Sequence, residues 1–270
     1  MLRREQRHER SEYRFERSNC PPSDTLCREG RGAEVAYTGM TWSGFRPSDD
    51  ACKYGYLVPS KLFAVRVLKP VDTFAKYLGD DSLGKEAESL GAQISEGVRR
   101  YGIVEHPHFG KVYAYEVDGL GNANLMDDAN VPSLLALPYM EVCGSEDELY
   151  RNTRAFVLSR ENPYFYQGKF TEGIGSPHTP RGYIWPIALC VQAMTSTDTD
   201  EIALILHTLM HTHGGTGFMH ESFDPEAPEQ FTRSWFAWAN SMFAEMIYRL
   251  HEGGRLRQVL CRALEMNNRS

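Results

Sequence analysis

The sequence predicts an all-α protein of the α/α toroid type, in which inner helices carry their loops to one common mouth. Four times, a polar loop with glycines or prolines, acids and aromatic residues leads directly into an apolar segment of helical length. An amphipathic segment follows each apolar one, so two kinds of helix alternate along the chain. A helical solenoid would give the same alternation, but these loops are longer and more acidic than solenoid turns require. A ligand is expected at the shared mouth.

The predicted inner and outer helices follow from this alternation. The loops and the apolar segments they enter are 38–50 into 56–65, 121–130 into 131–137, 173–179 into 183–189, and 214–223 into 235–243. The predicted outer helices are 82–101, 145–158, 199–212 and 255–264. In the first three pairs a proline lies near the helix start, where its missing N–H costs nothing.

Local signals refine the helix ends. Ser145 and Glu148 have the spacing of a capping box, and three glycines follow helical runs as C-caps do: Gly102, Gly214 and Gly253. The alternating segment Lys111–Val117 reads as a strand and ends at Asp118-Gly119, which predicts a small β-hairpin.

The composition excludes several classes of protein. The chain has 270 residues, a net charge of −7 and 41% apolar residues, so it can bury a core without a disulfide or a metal. An acidic balance, with a pI near 5.7, argues against nucleic acid as the partner. No uncharged stretch supplies the roughly 20 apolar residues of a membrane span. The charged first ten residues lack the apolar core of a secretory signal.

The six cysteines are dispersed and lack zinc-finger spacing. Most lie in apolar surroundings, where cysteine acts as a small hydrophobic residue. Cys20 and Cys27 are near enough in sequence to close a short loop in an exported protein, and whether they pair stays open. A glycosylation sequon, Asn268-Arg-Ser270, lies at the chain end.

Carboxylates in two of the loops are candidates for acid and base chemistry. Glu221 follows the flexible run 214–217 and is flanked by His220 and Phe223, which suggests a lined pocket and makes it the best candidate for a general base. A solvated loop acid is the plainer interpretation. The second carboxylate site, Asp49-Asp50, follows Arg46 and is also consistent with a stabilising cluster at a helix N-terminus.

A third acidic group suits the binding of vicinal hydroxyls. Asp127 and Asp128 stand beside Asn130, and each carboxylate can accept two O–H donors. Either aspartate would equally serve as the N-cap of the next helix. Aromatic faces at a polar mouth suit the C–H faces of sugars. Half of the aromatic residues in and near the four loops are nevertheless expected in the core; the set is Trp42, Trp185, Trp235 and Trp238 with Tyr164, Phe165, Tyr166 and Tyr183.

Three histidines allow a metal interpretation. His207 and His211 stand four residues apart, and His213 and His220 follow, but the H-E-x-x-H arrangement that makes a zinc site specific is absent. His207, His211 and His213 are interpreted as structural residues near a helix C-terminus, and no metal or cofactor is predicted. The alternative is a metal hydrolase using His207, His211 and His220.

Five motifs in order resemble glycoside hydrolase family 125, the metal-independent exo-α-1,6-mannosidases. They are Thr38-Gly-Met-Thr-Trp-Ser-Gly-Phe-Arg-Pro-Ser-Asp-Asp50, Met126-Asp-Asp-Ala-Asn-Val-Pro-Ser-Leu-Leu135, Gly173-Ile-Gly-Ser-Pro-His-Thr179 with Ile184-Trp-Pro186, His220-Glu-Ser-Phe223, and Arg233-Ser-Trp-Phe-Ala-Trp-Ala-Asn240. The resemblance covers nearly the whole chain. It implies an (α/α)6 barrel and an inverting hydrolase that releases terminal α-1,6-linked mannose from oligosaccharides or N-glycans.

The resemblance also implies roles for individual residues. The general base corresponds to Glu221, and the general acid to Asp49 or Asp50. An inverting glycosidase holds two such carboxyl groups about 6.5–9.5 Å apart, so adjacent aspartates cannot fill both roles. The residues implied to contact or support the terminal mannose are Trp42, Arg46, Asp127, Asp128, Asn130, His178, Trp185, His220 and Arg233.

The sequence departs from the family pattern in two ways that bear on function. Lys61 stands where Asn is expected, and family members are longer at the N-terminus. The chain is therefore expected to be a single domain over 1–270 that forms the C-terminal portion of the barrel, with exposed flanks through which copies self-associate. An inactive, mannose-binding remnant is the alternative function.

Overall fold

A computed structural model describes residues 1–266 of the chain; the sequon at Asn268 lies outside them. Two compact units are present. Unit 1 comprises Met1–Met126 and Pro132–Thr153, and unit 2 comprises Asp127–Val131 and the chain from Arg154 onward. The chain passes between the units three times, so neither unit is one continuous segment.

Unit 1 is organised around a pair of packed helices. Its helices are α1 (Leu2–Glu5), α2 (Cys27–Gly30), α3 (Val58–Tyr77) and α4 (Asp81–Tyr101), with 3-10 turns at His8–Arg10 and Pro22–Asp24. Helix α3 packs against α4. Pro59 begins α3, and Asp80 caps α4 by accepting the Leu83 N–H at 3.0 Å. Gly102 ends α4 as predicted.

Short antiparallel strands attach to this helix pair. One sheet has the order β1 (Tyr56–Leu57), β4 (Glu116–Val117), β5 (Ala123–Asn124), and a second pairs β2 (Ile103–His106) with β3 (Gly110–Tyr113). Val117 pairs with Tyr56 in the first sheet, and Val112 with Val104 in the second. The apolar core of unit 1 lies between α3, α4 and these strands, with Trp42, Tyr56 and Ile94 among its members.

Unit 2 is a smaller helical array. Helix α5 (Glu148–Val157) begins in unit 1 and ends in unit 2. The other helices are α6 (Pro186–Met194), α7 (Thr199–His211), α8 (Ala237–Glu252) and α9 (Leu256–Met266). Helix α6 packs against α7 and α8, and α7 packs against α9. Seven of the nine residues of α6 are buried, as expected for an apolar inner helix.

Two hairpins complete unit 2. Strand β6 (Phe165–Gln167) pairs with β7 (Glu172–Ile174), and β8 (Ser222–Phe223) pairs with β9 (Phe231–Thr232). An isolated bridge between Ile184 and Phe223 joins the start of α6 to β8. The residues before α6 and the residues before β8 are therefore held side by side.

The predicted helix at 131–137 is wrong. These residues form turns in which Leu134, Leu135 and Leu137 are buried. Pro132 is compatible with a helix start, as Pro59 and Pro186 are, but Pro138 disfavours helical conformation at Leu137, so only about one turn would fit between the two prolines.

Three boundary predictions also need correction. Asp147, not Ser145, caps α5 by accepting the Tyr150 N–H at 2.9 Å, because the helix begins at Glu148. Helix α7 ends at His211 with Thr212 as its C-cap, before Gly214. The predicted strand 111–117 is divided between two sheets.

Within residues 1–266, no helix is both long and apolar enough to cross a membrane. All six cysteines have free thiols, including Cys20 and Cys27.

Candidate active site

The loop between Met40 and Cys52 carries four of the predicted site residues in unit 1. It is folded back on itself: the Arg46 N–H donates to the Asp50 carbonyl at 2.8 Å, and the Asp49 N–H to the Arg46 carbonyl at 3.0 Å. Phe45 and Ala51 form an antiparallel bridge. Internal hydrogen bonds thus fix the backbone that presents both aspartates.

The two aspartates of this loop differ in environment. Asp50 is 4% exposed, and its Oδ2 accepts a hydrogen bond from the Ser48 hydroxyl at 2.8 Å. Asp49 is exposed and has a left-handed backbone with φ of 70°. Left-handed residues other than glycine store backbone strain, and such strain concentrates at functional sites.

Arg46 is tied to a residue that the sequence analysis missed. Its Nε donates to Glu116 Oε1 at 2.7 Å and its Nη2 to Oε2 at 3.1 Å. Glu116 is fully buried and also accepts from the Lys53 N–H and from Asn124 Nδ2. The sequence signal for this buried role was Glu116 itself, a charged residue within the alternating apolar segment 111–117.

The ion pair with Glu116 favours the charged form of Arg46. Burial lowers the pKa of the guanidinium, but the hydrogen bond and the charge of Glu116 outweigh burial and raise that pKa above its usual value. Arg46 thereby links the loop between Met40 and Cys52 to strand β4.

The side chain of Trp42 is buried and is not presented to solvent. Its ring stacks on His8 with centroids 4.4 Å apart, and its backbone N–H donates to the Glu5 carbonyl at 2.8 Å. A Cβ at Gly55 would lie 2.6 Å from the indole Nε1, so only glycine allows this close approach.

Lys61 reaches the same loop from α3. The side chain is 5% exposed, and Nζ donates to the Ser43 hydroxyl at 2.5 Å. Burial lowers the pKa of this amine to about 8. The residue that departs from the family pattern is therefore a buried support of the loop.

In unit 2, the acidic turn predicted to bind hydroxyls is buried. Asp128 Oδ1 accepts from the Asn130 N–H at 3.1 Å and from Asn130 Nδ2 at 2.8 Å. The Asp127 N–H donates to Asn162 Oδ1 at 3.2 Å. No α-helix follows at 131–137, so the interpretation of these aspartates as helix caps is wrong.

This turn contacts the loop that contains His178. The Ala129 N–H donates to the Gly175 carbonyl at 3.1 Å, and Asn130 Nδ2 lies 3.4 Å from Ser176 Oγ. The same hydroxyl accepts the His178 N–H at 3.2 Å. The structure thus brings Asp128, Asn130 and His178 together through Ser176.

Trp185 lies at the start of α6 and is 1% exposed. Its Nε1 donates to Thr179 Oγ1 at 2.8 Å, and its ring meets that of Phe236 edge to face at 6.0 Å. The other tryptophans of unit 2 are less buried: Trp235 is 56% exposed and Trp238 is half-buried.

Glu221 is held at the start of β8. It is 7% exposed, and its Oε1 accepts from Arg233 Nε at 3.0 Å. Arg233 has a left-handed backbone with φ of 49°. Across the hairpin, the Ser222 N–H donates to Thr232 Oγ1 at 3.1 Å. The candidate base therefore has a fixed backbone and one oriented oxygen.

His220 has an unused nitrogen. Its ring lies parallel to Phe231 with centroids 3.8 Å apart, and Nδ1 faces the Arg233 carbonyl at 3.2 Å. Because a carbonyl accepts only, Nδ1 is the protonated nitrogen of the neutral ring. Nε2 is buried without a protein partner, so it is left as an acceptor.

Asn240 secures this loop, and sequence reasoning gave it no role. Its Oδ1 accepts the Met219 N–H at 3.2 Å, and its Nδ2 donates to the Met219 carbonyl at 2.9 Å. Both polar groups of the residue before His220 are thereby bound.

The histidines of α7 have other contacts. His207 Nδ1 faces the Ala263 carbonyl at 3.1 Å, and His211 Nδ1 faces the His207 carbonyl at 2.7 Å. His213 Nδ1 accepts the Gly217 N–H at 3.2 Å. Within residues 1–266, neither these histidines nor His220 belong to a group of three potential metal ligands. These contacts favour the structural interpretation.

Comparison with known proteins identifies the family. The model of the metal-independent α-mannosidases (GH125) matches residues 2–248. The meiotically up-regulated gene 157 protein of Schizosaccharomyces pombe is 46% identical over 242 residues, which are 89% of this chain and 48% of that protein.

Two solved structures are similar. A Streptococcus pneumoniae metal-independent α-mannosidase, in a non-productive complex with α-1,6-mannobiose, is 49% identical with a TM-score of 0.89, over 91% of this chain and 58% of that one. A bacterial glucoamylase complexed with acarbose, 13% identical with a TM-score of 0.55, is alike in fold alone, over 71% of this chain and 33% of its own.

The first structural match confirms the predicted fold class, the (α/α)6 barrel type with small β-hairpins. The chain spans about half the length of the curated relative. On the family match, which covers nearly all of the described residues, the chain belongs to the metal-independent α-mannosidases of family GH125.

Proposed function

We propose that the protein is an inverting exo-α-1,6-mannosidase that releases terminal mannose from oligosaccharides or N-glycans. The observation that carries the proposal is Glu221, a buried carboxylate oriented by Arg233 within a family motif. The similar S. pneumoniae enzyme, whose structure contains α-1,6-mannobiose, supports the substrate class. We further propose that the two units belong to one catalytic domain, which the three chain passages between them support.

Glu221 acts as the general base in this mechanism. Arg233 binds Oε1, so Oε2 is the oxygen that accepts a proton from the attacking water. The water attacks the anomeric carbon from the face opposite the leaving group, which inverts the configuration. Asn240, through Met219, keeps the loop at a fixed position during this step.

Asp50 is the proposed general acid, in preference to Asp49. The acid must protonate the leaving oxygen at a site from which water is excluded, and Asp50 is the buried member of the pair. The Ser48 hydroxyl, which donates to Asp50, stabilises the carboxylate left after proton transfer. Arg46 holds the loop through Glu116.

The terminal mannose is bound by polar groups of unit 2 in this proposal. Asp127, Asp128 and Asn130 accept and donate hydrogen bonds to vicinal hydroxyls, with His178 beside them. His220 Nε2 accepts one further hydroxyl, which would satisfy a buried atom that has no protein partner. Trp185, which donates to Thr179, shapes the wall beside the loop of His178.

Proton NMR during digestion of α-1,6-mannobiose tests the mechanism. β-Mannose is expected as the first product, and Glu221→Gln should lower kcat by roughly 10²- to 10⁴-fold. First release of the α anomer would refute inversion, and an unchanged rate in Glu221→Gln would refute the base assignment. Glu226→Gln, the same change at an exposed glutamate between β8 and β9, is the matched control and should leave kcat unchanged.

A mannose-binding protein without turnover is the second candidate. Calorimetric titration with mannose that shows binding, together with no product from mannobiose, favours this candidate over the enzyme.

A further inference from the structure

The ring of His220 is held by two contacts of different kinds. Its Nδ1 donates to the Arg233 carbonyl at 3.2 Å, and its face lies within 4° of parallel to the ring of Phe231, with centroids 3.8 Å apart. Aromatic pairs usually have centroids about 4.5–7 Å apart, so the phenyl ring here covers most of one imidazole face. The stack fixes the plane of the imidazole, and the hydrogen bond fixes its rotation within that plane.

Together the two contacts fix the direction in which Nε2 of His220 points. The residue is 1% exposed, and Nε2 is a buried acceptor without a protein partner. Hydrogen bonds weaken steeply when donor and acceptor are misaligned, so a tilted imidazole would no longer meet the same hydroxyl. Without the stack the ring would be free to tilt about its single hydrogen bond to the Arg233 carbonyl.

The glycine-rich segment 214–217 determines where Phe231 lies. Gly214 has a left-handed backbone with φ of 56°, and a Cβ on it would lie 2.6 Å from Cε1 of Phe231. A side chain at this position would therefore displace the phenyl ring. Gly215 is also left-handed, with φ of 79°, but a Cβ on it would meet no atom within 4 Å. The two glycines share a backbone conformation and differ in their contact with Phe231.

We propose that Phe231 is a positioning residue that determines which substrate hydroxyl His220 recognises. The inference rests on the proposed function, in which Nε2 of His220 accepts a hydroxyl of the terminal mannose. Phe231 acts through the imidazole, and Gly214 acts through Phe231. Sites that bind a hydroxyl through an oriented polar group discriminate strongly against analogues without that hydroxyl. Loss of the flat phenyl face should therefore weaken the recognition of one hydroxyl and leave the other contacts of the sugar intact.

Monodeoxy substrates separate this role from a general structural one. The substrates are α-1,6-mannobiose and its analogues that each lack one hydroxyl of the terminal ring. Phe231→Leu should lower kcat/KM for mannobiose by about tenfold or more. It should leave kcat/KM unchanged for the single analogue without the hydroxyl that Nε2 accepts. Phe231→Tyr keeps a flat ring and should retain the wild-type values for every substrate.

The two glycines give an independent test with a matched control. Gly214→Ala should cause the same selective loss as Phe231→Leu, because the new Cβ displaces the phenyl ring. Gly215→Ala is the same change in the same backbone conformation, and it should leave the selectivity unaltered. Phe170→Leu, at a phenylalanine that is 51% exposed in the turn between β6 and β7, should change no rate.

Two kinetic results would overturn the proposal. They are an unchanged kcat/KM for mannobiose in Phe231→Leu, and an equal loss in that variant for mannobiose and every analogue. Wild-type protein that hydrolyses none of these substrates contradicts the proposed function instead. In that case ¹⁵N NMR of the His220 ring decides. Wild type and Phe231→Tyr should show the Nδ1-protonated tautomer, and Phe231→Leu a mixture of tautomers; a single unchanged tautomer in Phe231→Leu would overturn the positioning role.

Discussion

Replacing Glu116 by Gln should destabilise the protein far more than replacing an exposed glutamate of an ion pair. The Arg46 side chain is 8% exposed and that of Glu116 is fully buried. Glutamine keeps the size of the side chain but leaves Arg46 as a buried charge without a countercharge. Breaking a buried pair on one side costs about 3–5 kcal/mol.

Glu141→Gln is the internal control. Glu141 pairs with Arg66, but its side chain is 72% exposed, and exposed pairs contribute about 0–1 kcal/mol. Urea unfolding followed by tryptophan fluorescence gives the free energy of unfolding of both variants. A loss below 1 kcal/mol in Glu116→Gln, or equal losses in the two variants, would refute the claim that this pair braces the loop.

Three further predictions concern the acid, a buried amine and an exposed face. Asp50→Asn should lower kcat for mannobiose by at least 10²-fold while Asp49→Asn retains activity, and the reverse order in steady-state rates would reassign the acid. Burial lowers the pKa of Lys61 to about 8, so the unfolded state binds more protons than the folded state between pH 8 and 10.5, and the free energy of unfolding should rise with pH in that range. Lys61→Met should remove this rise in urea titrations and stabilise the protein by on the order of 3 kcal/mol at pH 7. Phe74, Tyr77 and Leu78 are 66–88% exposed at the end of α3, so we expect dimers of the chain in light scattering. Phe74→Ser combined with Leu78→Ser should dissociate the dimers, whereas the control Leu204→Ser should not. A monomer at all concentrations would contradict this prediction.

The helices were predictable where periodicity alone decides the structure. Helices α4, α7 and α9 have one apolar face, and the predicted ranges agree with the structure to within a few residues. Segment 131–137 is equally apolar, yet Pro138 leaves room for only about one helical turn after Pro132, so composition without backbone restrictions misled the prediction. The division of 111–117 between two sheets depends on partners distant in sequence.

The residue types of the candidate site were predictable, but their supports were not. Glu221, Asp50 and Asp128 stand in recognisable loops. Glu116 and Asn240 act through residues 70 and 21 positions away, and single-sequence patterns do not reveal such contacts. Burial also separates Asp49 from Asp50, a distinction that adjacent identical residues conceal in the sequence.

Arg233 has a strained backbone and is proposed to orient Glu221, and the two effects can be tested separately. Its left-handed backbone costs about 1–2 kcal/mol, while its ion pair with Glu221, 62% exposed on the arginine side, contributes less than about 1 kcal/mol. Arg233→Gly relieves the strain and adds unfolded-state entropy of about 0.5–1 kcal/mol, so stability should change by less than about 1 kcal/mol. Activity should fall at least tenfold, because the carboxylate of Glu221 loses its orienting donor.

Glu141 provides the matched comparison, since it is also left-handed, with φ of 57°, and also forms an exposed ion pair, but it is outside the candidate site. Glu141→Gly should change stability as little as Arg233→Gly and leave hydrolysis of mannobiose unaffected. If Arg233→Gly instead loses more than about 2 kcal/mol in urea unfolding, the strained arginine is retained for stability. If it keeps full activity, the orientation of Glu221 depends on the hairpin and not on Arg233.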